Sequence, residues 1–177
     1  MVLSAPVLET QRLRLRPLVA GDAEALHRIQ SDPKHMRFYP HPFSMEESIA
    51  WIQRALEHYA KHGFGLLAVE DRTTGEFLGN VGPTVQRVDE VDEIELGWSI
   101  TPDRSRQGIA TEAAKACRDH VFEVVGADHV ISLILPENEP SAGVARKLGM
   151  TVWKQAPHGF VQWLHDVWLA ERRDEAR

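Results

Sequence analysis

The stretch that decides how this chain folds is "EIELGWSITPDRSRQGIATEAAKACRDHVFEVVGADHVISLIL", Glu93 to Leu135. Its first part, Glu93 to Ile100, alternates apolar and polar residues with the two-residue period of a strand. A polar loop, "TPDRSRQG", follows. "IATEAAKACRDHVFEVV" then reads as a helix of small residues, and "HVISLIL" as a second strand. Strand, loop, helix, strand is a βαβ unit, which makes its two strands parallel and its crossover right-handed. The loop then lies at the carboxyl end of the first strand, where α/β folds bind ligands.

Working outward, "RLRLRP" (Arg12 to Pro17) alternates leucine with arginine, a strand with one buried face that Pro17 ends. Asp22 is placed to cap "AEALHRIQS", where Ala25, Leu26 and Ile29 fall at helical spacing and Pro33 closes the segment. "PKHMRFYPHPF" is too rich in proline for a regular element and too apolar for a free linker, so it is expected to pack over something. Ser44 and Glu47 form a capping box for "MEESIAWIQRALEHYAKH". In that helix Ile49, Ile52, Leu56 and Tyr59 are expected to share the buried face, and Gly63 is its stop. "FGLLAVE" and "FLGNVGPTV" read as antiparallel strands joined at "DRTTGE", and "RVDEVD" as an acidic connector into the decisive unit. Beyond it come a short helix, "EPSAGVARKL", ended by Gly149, and a closing hairpin of "MTVWKQ" with "GFVQWLHDVWLAE". No repeat, low-complexity tract or linker interrupts the chain, so one domain is expected over 1–177, with its core at about 9–171.

A chain of 177 residues, 43% hydrophobic and 26% charged, is long enough to bury a core and ordinary enough to be globular. Its net charge of −6 argues against gripping nucleic acid through phosphates, which needs a basic face. An acidic balance suits a cationic substrate weakly, or merely solubility. The single cysteine, Cys117, excludes an internal disulfide. "MVLSAPVLETQRL" lacks the basic and apolar regions of a signal peptide, and no apolar run approaches a membrane span. The expectation is a cytoplasmic protein.

A helix that begins near Gly108 leaves its first amides without intrahelical partners, and with the helix dipole they form an anion site. Gly108 and Ala110 add no bulk there, and Arg104 and Arg106 lie close enough in sequence to counter negative charge. The alternative is a solvated loop with a good helix start. Neither GxGxxG nor GxxxxGK[ST] occurs, so dinucleotide and nucleoside triphosphate readings lose their usual support.

"IELGWSITPDRSRQGIATEA" followed by "ILPENEPSAGVARKLGM" resembles the GNAT N-acetyltransferases, and within them the branch of ribosomal-protein N-terminal acetyltransferases. The resemblance extends from about Glu9 to Glu171. It implies an α/β fold with a mixed, mostly antiparallel central sheet, a splayed parallel strand pair and flanking helices. It also implies that a loop of the pattern R/Q-x-x-G-x-G/A takes the pyrophosphate of acetyl-CoA, here "SRQGIA". Ser105 stands where arginine or glutamine is usual and Arg106 where glycine is frequent, departures that leave the amide cradle intact. The implied cofactor contacts are Arg104, Ser105, Arg106, Gln107, Gly108, Ile109, Ala110 and Thr111 at the loop and helix start. Trp98, Ser99 and Ile100 would line the pantetheine arm, and Asn138 and Ser141 of an N-x-x-S pattern would touch the cofactor; their alternative role is a helix cap.

Acetyl transfer from a thioester to an amine needs a neutral nucleophile, oxyanion stabilisation and a proton for the thiolate. Near pH 7.4 an α-amino group costs about 0.5 kcal/mol to neutralise and a lysine about 4 kcal/mol, so an N-terminal substrate needs less from a base. Glu95, on the strand that reaches the cleft, is the candidate to accept the amine proton or to orient the substrate. "DEVDEIE" before it could attract a cationic acceptor or be a solvated connector. Many relatives protonate the thiolate with a tyrosine after the second parallel strand, but no tyrosine follows Tyr59, and Ser141 is the only hydroxyl between Asn138 and Met150. Ser141 is therefore the candidate proton donor, and a backbone amide near Ile100 the candidate to polarise the thioester.

Other features read more plainly. His58 and His62 lack a third ligand of diagnostic spacing, so no metal is expected. Cys117 suits a buried position on the main helix. His165 and Asp166 either face the acceptor or pair at the surface, and Trp51, Trp153, Trp163 and Trp168 read as core or pocket wall. The resulting expectation is direct transfer of acetyl from acetyl-CoA to a primary amine, best a protein N-terminus, otherwise an aminoglycoside, polyamine or other small amine. The rivals are a module that binds acyl-CoA without catalysis and an interaction protein that keeps only the fold. No nucleic-acid or membrane partner is expected, and the chain is expected to be a monomer or a homodimer.

Overall fold

The chain runs β1 (Leu8–Glu9), β2 (Leu13–Pro17), α1 (Ala23–Gln30), α2 (Met45–His62), β3 (Leu67–Asp71), β4 (Phe77–Val88), β5 (Val91–Ile100), α3 (Ile109–His120), β6 (His129–Ile134), α4 (Glu139–Lys147), β7 (Thr151–His158) and β8 (Trp163–Glu171). This computed structural model describes residues 6–159 and 161–172. Residues 1–5 of the amino-terminal stretch, Phe160 of the closing hairpin and residues 173–177 lie outside the described residues.

The strands form one eight-stranded sheet in the order β1-β2-β3-β4-β5-β6-β8-β7. Every pairing is antiparallel except β5 with β6, as the βαβ unit requires. α3 packs on β4 and β5 through Ala113, Ala114 and Cys117, which are at most 1% exposed. Small residues there let the helix backbone approach the sheet closely, and the helix closes on a wider π turn over Val121–Val125. The core runs from Leu13 and Leu15 through Val69, Leu78, Val81 and Leu96 to Val130 and Met150.

Local signals set the ends of α2. Ser44 accepts from the Glu47 amide while Glu47 accepts from the Ser44 amide, and Gly63 closes the helix at φ 76°. The buried face is Ser48, Ile52, Ala55 and Tyr59, whereas Ile49 and Leu56, expected inside, are both 41% exposed. The sheet meets the row that passes through Ile52 and Tyr59, and Ile49 and Leu56 sit round the helix from it. "RVDEVD" is not a connector either. Arg87 and Val88 belong to β4, Val91 and Asp92 to β5, and only Asp89 and Glu90 turn, both at positive φ (47° and 66°). Two successive residues with φ above zero make the tight hairpin turn whose twist suits antiparallel strands.

Asp22 precedes α1 but makes no cap bond to it. Its carboxylate accepts from the Val19 amide and from both terminal nitrogens of Arg16, and the Arg16 Nε donates to Glu70. Burial alone would raise the Asp22 carboxyl, but Arg16 and the Val19 amide outweigh it and hold it below its ordinary value. A lowered carboxyl contributes stability above its unfolded pKa and loses it as pH falls through the folded value. Arg16→Leu, which leaves two carboxylates facing each other, is expected to cost about 2 kcal/mol in urea unfolding at pH 7. The difference from wild type should shrink below pH 4.

Candidate functional site

β5 and β6 pair at one register position, Glu95 with Ile131, and then part. Side chains take over where the backbone ladder stops. The Ser132 hydroxyl donates to the Leu96 carbonyl (2.8 Å), and the Leu133 amide donates to the Glu95 carboxylate (3.4 Å). On the closed side of the fork, His129 Nε2 meets the Glu93 carboxylate at 2.6 Å. Because Leu96 points its carbonyl into the fork, the alternation of a strand turns the main-chain groups of Trp98 and Ile100 the same way. Ser99 and Thr101 face β4 instead: the Thr101 amide donates to Leu78 there.

The fork opens into a groove of about 950 Å³, lined by Trp98, Ser99 and Ile100 on one side, Arg104–Arg106 and Gly108–Thr111 of the loop and helix start below, and Ser141 with Val144 of α4 opposite. Gln107 and Asn138, both expected at the cofactor, do not line it. The Gln107 carbonyl accepts from Arg12 Nη1 at 2.9 Å, and the Asn138 side-chain oxygen accepts from the Ser141 amide at 3.2 Å, a helix cap. The Ser141 hydroxyl makes no hydrogen bond among the described residues, although it faces the groove.

Gly108 holds φ 77° immediately before α3, and Arg106 holds φ 62° two residues earlier. Among the described residues the amides of 106–111 donate to no carbonyl; the first helical bond is Glu112 to Gly108. This leaves a row of unpartnered donors at the positive end of a helix dipole, the makings of an anion cradle. A clasp that sequence reading missed fixes it from below. Arg12 donates through Nε to Glu112 (2.7 Å), and Glu112 also accepts from the Arg12 amide and the Thr10 hydroxyl. Burial alone would raise the Glu112 carboxyl, but these donors hold it below its ordinary value. Their separation of about a hundred residues is why no local pattern announced them.

Arg104 lines the groove, but its guanidinium is already paired, with Asp71 (3.0 Å) and Glu76 (2.9 Å) at the β3–β4 turn. Arg106 has no ion-pair partner among the described residues, and with Lys34, Arg37 and Lys147 it gives the groove rim a positive charge in a chain whose net charge is −6.

Glu95 lies on the sheet face opposite α3. Burial raises its carboxyl, against the opposing pull of bonds from Leu133, Thr84 and Gln86. Over it comes the proline-rich segment, which does pack: Met36 is buried and the Phe43 amide donates to Gln30. Tyr39 of this segment is 38% exposed as a residue, and its phenol is pushed up to about 12 by desolvation and then by the Glu95 charge. Its ring meets Phe43 edge-on at 5.9 Å, and Phe43 meets Trp51 at the same distance. His35 of the same segment sets Nε2 at 2.8 Å from the Ser99 hydroxyl. Neither Tyr39 nor His35 was singled out from sequence.

The remaining candidates fall away from the groove. His58 donates from Nδ1 to the Phe64 carbonyl and accepts at Nε2 from the Val85 amide, so both ring nitrogens are engaged. Cys117 is buried, and its thiol is pushed up to about 12. His165 bonds the Trp163 carbonyl and Asp166 accepts from Gln155, both on the closing hairpin. Trp168 is core, whereas Trp153 (52% exposed) and Trp163 (38%), expected as core or pocket wall, stand on that hairpin's surface.

The model of the acetyltransferase (GNAT) domain matches residues 12–151. The uncharacterized protein YkkB of Bacillus subtilis is 32% identical over 144 residues, 81% of this chain and 84% of its own. The spermidine N(1)-acetyltransferase of Escherichia coli is 26% identical over 84% of this chain and 77% of its own. Among solved structures, an acetyltransferase from Agrobacterium tumefaciens superposes with a TM-score of 0.83 at 29% identity, covering 96% of both chains.

Proposed function

The chain belongs to the GNAT acetyltransferase family, and on that premise we propose that this N-acetyltransferase carries acetyl from acetyl-CoA to an acceptor with a single ammonium group, a protein or peptide N-terminus. The observation that carries the cofactor part is the row of unpartnered amides at 106–111 beneath a rim of Lys34, Arg37, Arg106 and Lys147. Such a site suits a diphosphate. The open-edge main chain of Trp98 and Ile100 offers strand-like partners for the amides of a pantetheine arm, and one of these N–H groups would polarise the thioester carbonyl. The Ser141 hydroxyl, across the groove, would meet the departing thiolate.

The acceptor part rests on charge. Glu95 is half-buried and has no ion-pair partner among the described residues, whereas Glu93 is paired with His129 and Asp92 with Arg87. A polyamine needs several carboxylates in series, and the Lys34 and Arg37 rim would repel its second ammonium. The relative that acetylates spermidine makes that amine the natural comparison. Positioning supplies much of the rate, since a bound α-amine needs little help to become neutral.

The test is calorimetric titration with acetyl-CoA and with an acetyl-pantetheine lacking the diphosphate, followed by kcat/KM for a serine-initiated peptide and for spermidine. Binding that depends on the diphosphate, and preference for the peptide, support the reading. Equal binding of both thioesters would move the cofactor off the cradle, and a preference for spermidine would overturn the acceptor. Ser141→Ala is expected to lower kcat about tenfold while acetyl-CoA affinity stays within a factor of two; an equal loss in both would make Ser141 a binding residue only.

A further inference from the structure

The Ser99 hydroxyl and the His35 imidazole, 64 residues apart in sequence, meet at 2.8 Å inside the groove that both line. Ser99 is held by its strand pairing, and His35 sits in a short 3-10 turn whose Met36 is buried. Directly across the β4–β5 ladder from Ser99 stands Asn80. Its side chain shares the Ser99 face at about 5 Å between Cβ atoms. Asn80 is 2% exposed, and its Nδ2 has no hydrogen-bond partner among the described residues. A buried amide donor left without an acceptor is costly, although Asn80 itself is not among the residues that line the groove.

We propose that His35, acting through the Ser99 hydroxyl, takes the proton from the acceptor's ammonium. The inference rests on the reading of the groove as the acetyl-CoA site. If the thioester lies against the open-edge main chain of Trp98 and Ile100, the reacting carbon sits beside Ser99. Glu95 is four residues away on the same strand face, about 13 Å between Cα atoms. It can draw the ammonium in through intervening water, but it does not touch the nitrogen that attacks beside Ser99.

With the His35 ring proton on Nδ1, Nε2 accepts from the Ser99 O–H, and the Ser99 oxygen is free to accept from the substrate. One N–H bond of the ammonium breaks, its proton passes to Ser99 Oγ, and the Ser99 proton passes to His35 Nε2. The freed lone pair forms the N–C bond to the acetyl carbon. As the C–S bond breaks, the second N–H proton goes to the departing thiolate. The imidazolium then gives its proton to solvent at its partly exposed side.

The groove that His35 lines also carries Glu139, which is paired with Arg146. Asp32 on the histidine's own segment favours the imidazolium, while Arg37 opposes it. From β5 it faces the neutral Ser99, with Glu95 further along the strand. The groove adds Lys34, Arg106 and Lys147. Burial is the largest influence and lowers the His35 pKa below its ordinary value, so the imidazole is neutral and able to accept at pH 7. The relay is then complete above pH 6.5 and fails as pH falls through the lowered value.

The experiment is the pH dependence of kcat from pH 5 to 9 with acetyl-CoA and a serine-initiated peptide, for wild type, His35→Gln, Ser99→Ala and the double variant. Acetyl-CoA affinity is measured alongside by calorimetry. The expected result is a loss of about a hundredfold in kcat for each single variant, no further loss in the double, and disappearance of the acidic limb that His35 sets. Acetyl-CoA affinity should stay within a factor of two. Should His35→Gln lose its structure, His35→Ala with added imidazole serves instead, and partial recovery of kcat supports the relay. An unchanged acidic limb, losses that multiply in the double variant, or absent imidazole recovery would overturn it. If wild type binds acetyl-CoA but acetylates neither the peptide nor spermidine, the relay falls while the cofactor reading stands. Failure to bind acetyl-CoA would remove both.

Discussion

Gly108→Glu is expected to lower acetyl-CoA affinity by about a hundredfold or more, with the fold retained. Two effects act, and they are separable. Gly108 holds φ 77°, a conformation that costs an L-residue about 1 kcal/mol, but that strain falls on the protein with or without ligand. A Cβ there meets little else, its nearest neighbour being Arg12 Nη2 at 3.5 Å. The affinity loss comes from charge. A carboxylate about 5 Å from a diphosphate at an effective dielectric near 20 is repelled by about 3 kcal/mol, which is about two decades in the dissociation constant. Gly108→Ala is the control, expected to lower stability by about 1 kcal/mol and affinity by less than tenfold. Calorimetry on both variants, with circular dichroism to confirm the fold, decides it. Unchanged affinity in Gly108→Glu would place the diphosphate somewhere other than the start of α3.

The largest stability effect is expected from Gly79→Ala. Gly79 lies on β4 opposite Ile100 at φ 143°, and a Cβ there would stand 2.0 Å from the Ser99 carbonyl oxygen and 3.0 Å from the Ile100 Cα. Those neighbours are backbone, so no side chain can swing aside. The β4–β5 ladder must open at its outer end. A loss of about 4 kcal/mol, or about 10 °C in Tm, is expected in thermal unfolding. Gly75 is the comparison: at φ 73° with no atom within 4 Å of its would-be Cβ, its replacement by alanine should cost about 1 kcal/mol. Because Gly79 backs directly onto Ser99 and Ile100, whatever Gly79→Ala protein remains folded should also bind acetyl-CoA more weakly. Equal stability of the two variants would mean that the close approach of β4 and β5 is not maintained in solution.

What the sequence made legible were features written in neighbouring residues. The Ser44–Glu47 box, the stops at Gly63 and Gly149, and the strand-loop-helix-strand run from Glu93 to Ile134 all carry their cause within a few positions, and the structure has them. The buried side of α2 was not legible, because Ser48 and Ala55 look like surface residues until the rest of the chain packs on them, His27 of α1 against Ser48. Arg104 reads as a free cation beside a phosphate loop, and only the return of the β3–β4 turn shows that it is paired with Asp71 and Glu76. Asn138 reads as a cofactor contact and as a cap, two compatible roles, and the structure has the cap. The sheet face around Glu95 and Ser99, proposed to receive the acceptor, was the least legible part. His35 and Tyr39 sit in a proline-broken segment with no periodicity, and their meaning comes from Ser99 and Glu95, about sixty residues on.

The fork between β5 and β6 also bears on how the molecule holds together. On one side of it stand five strands, on the other three, and a single backbone register position joins them. Seen mechanically, the sheet has a seam, stitched by Ser132 to Leu96 at one point and His129 to Glu93 at another, and backed by α3. A pantetheine arm laid along Trp98 and Ile100 would act as a splint across that seam. Cofactor occupancy and the stiffness of the seam then rise and fall together, so each turnover would slacken and re-tension the sheet as product leaves and acetyl-CoA returns.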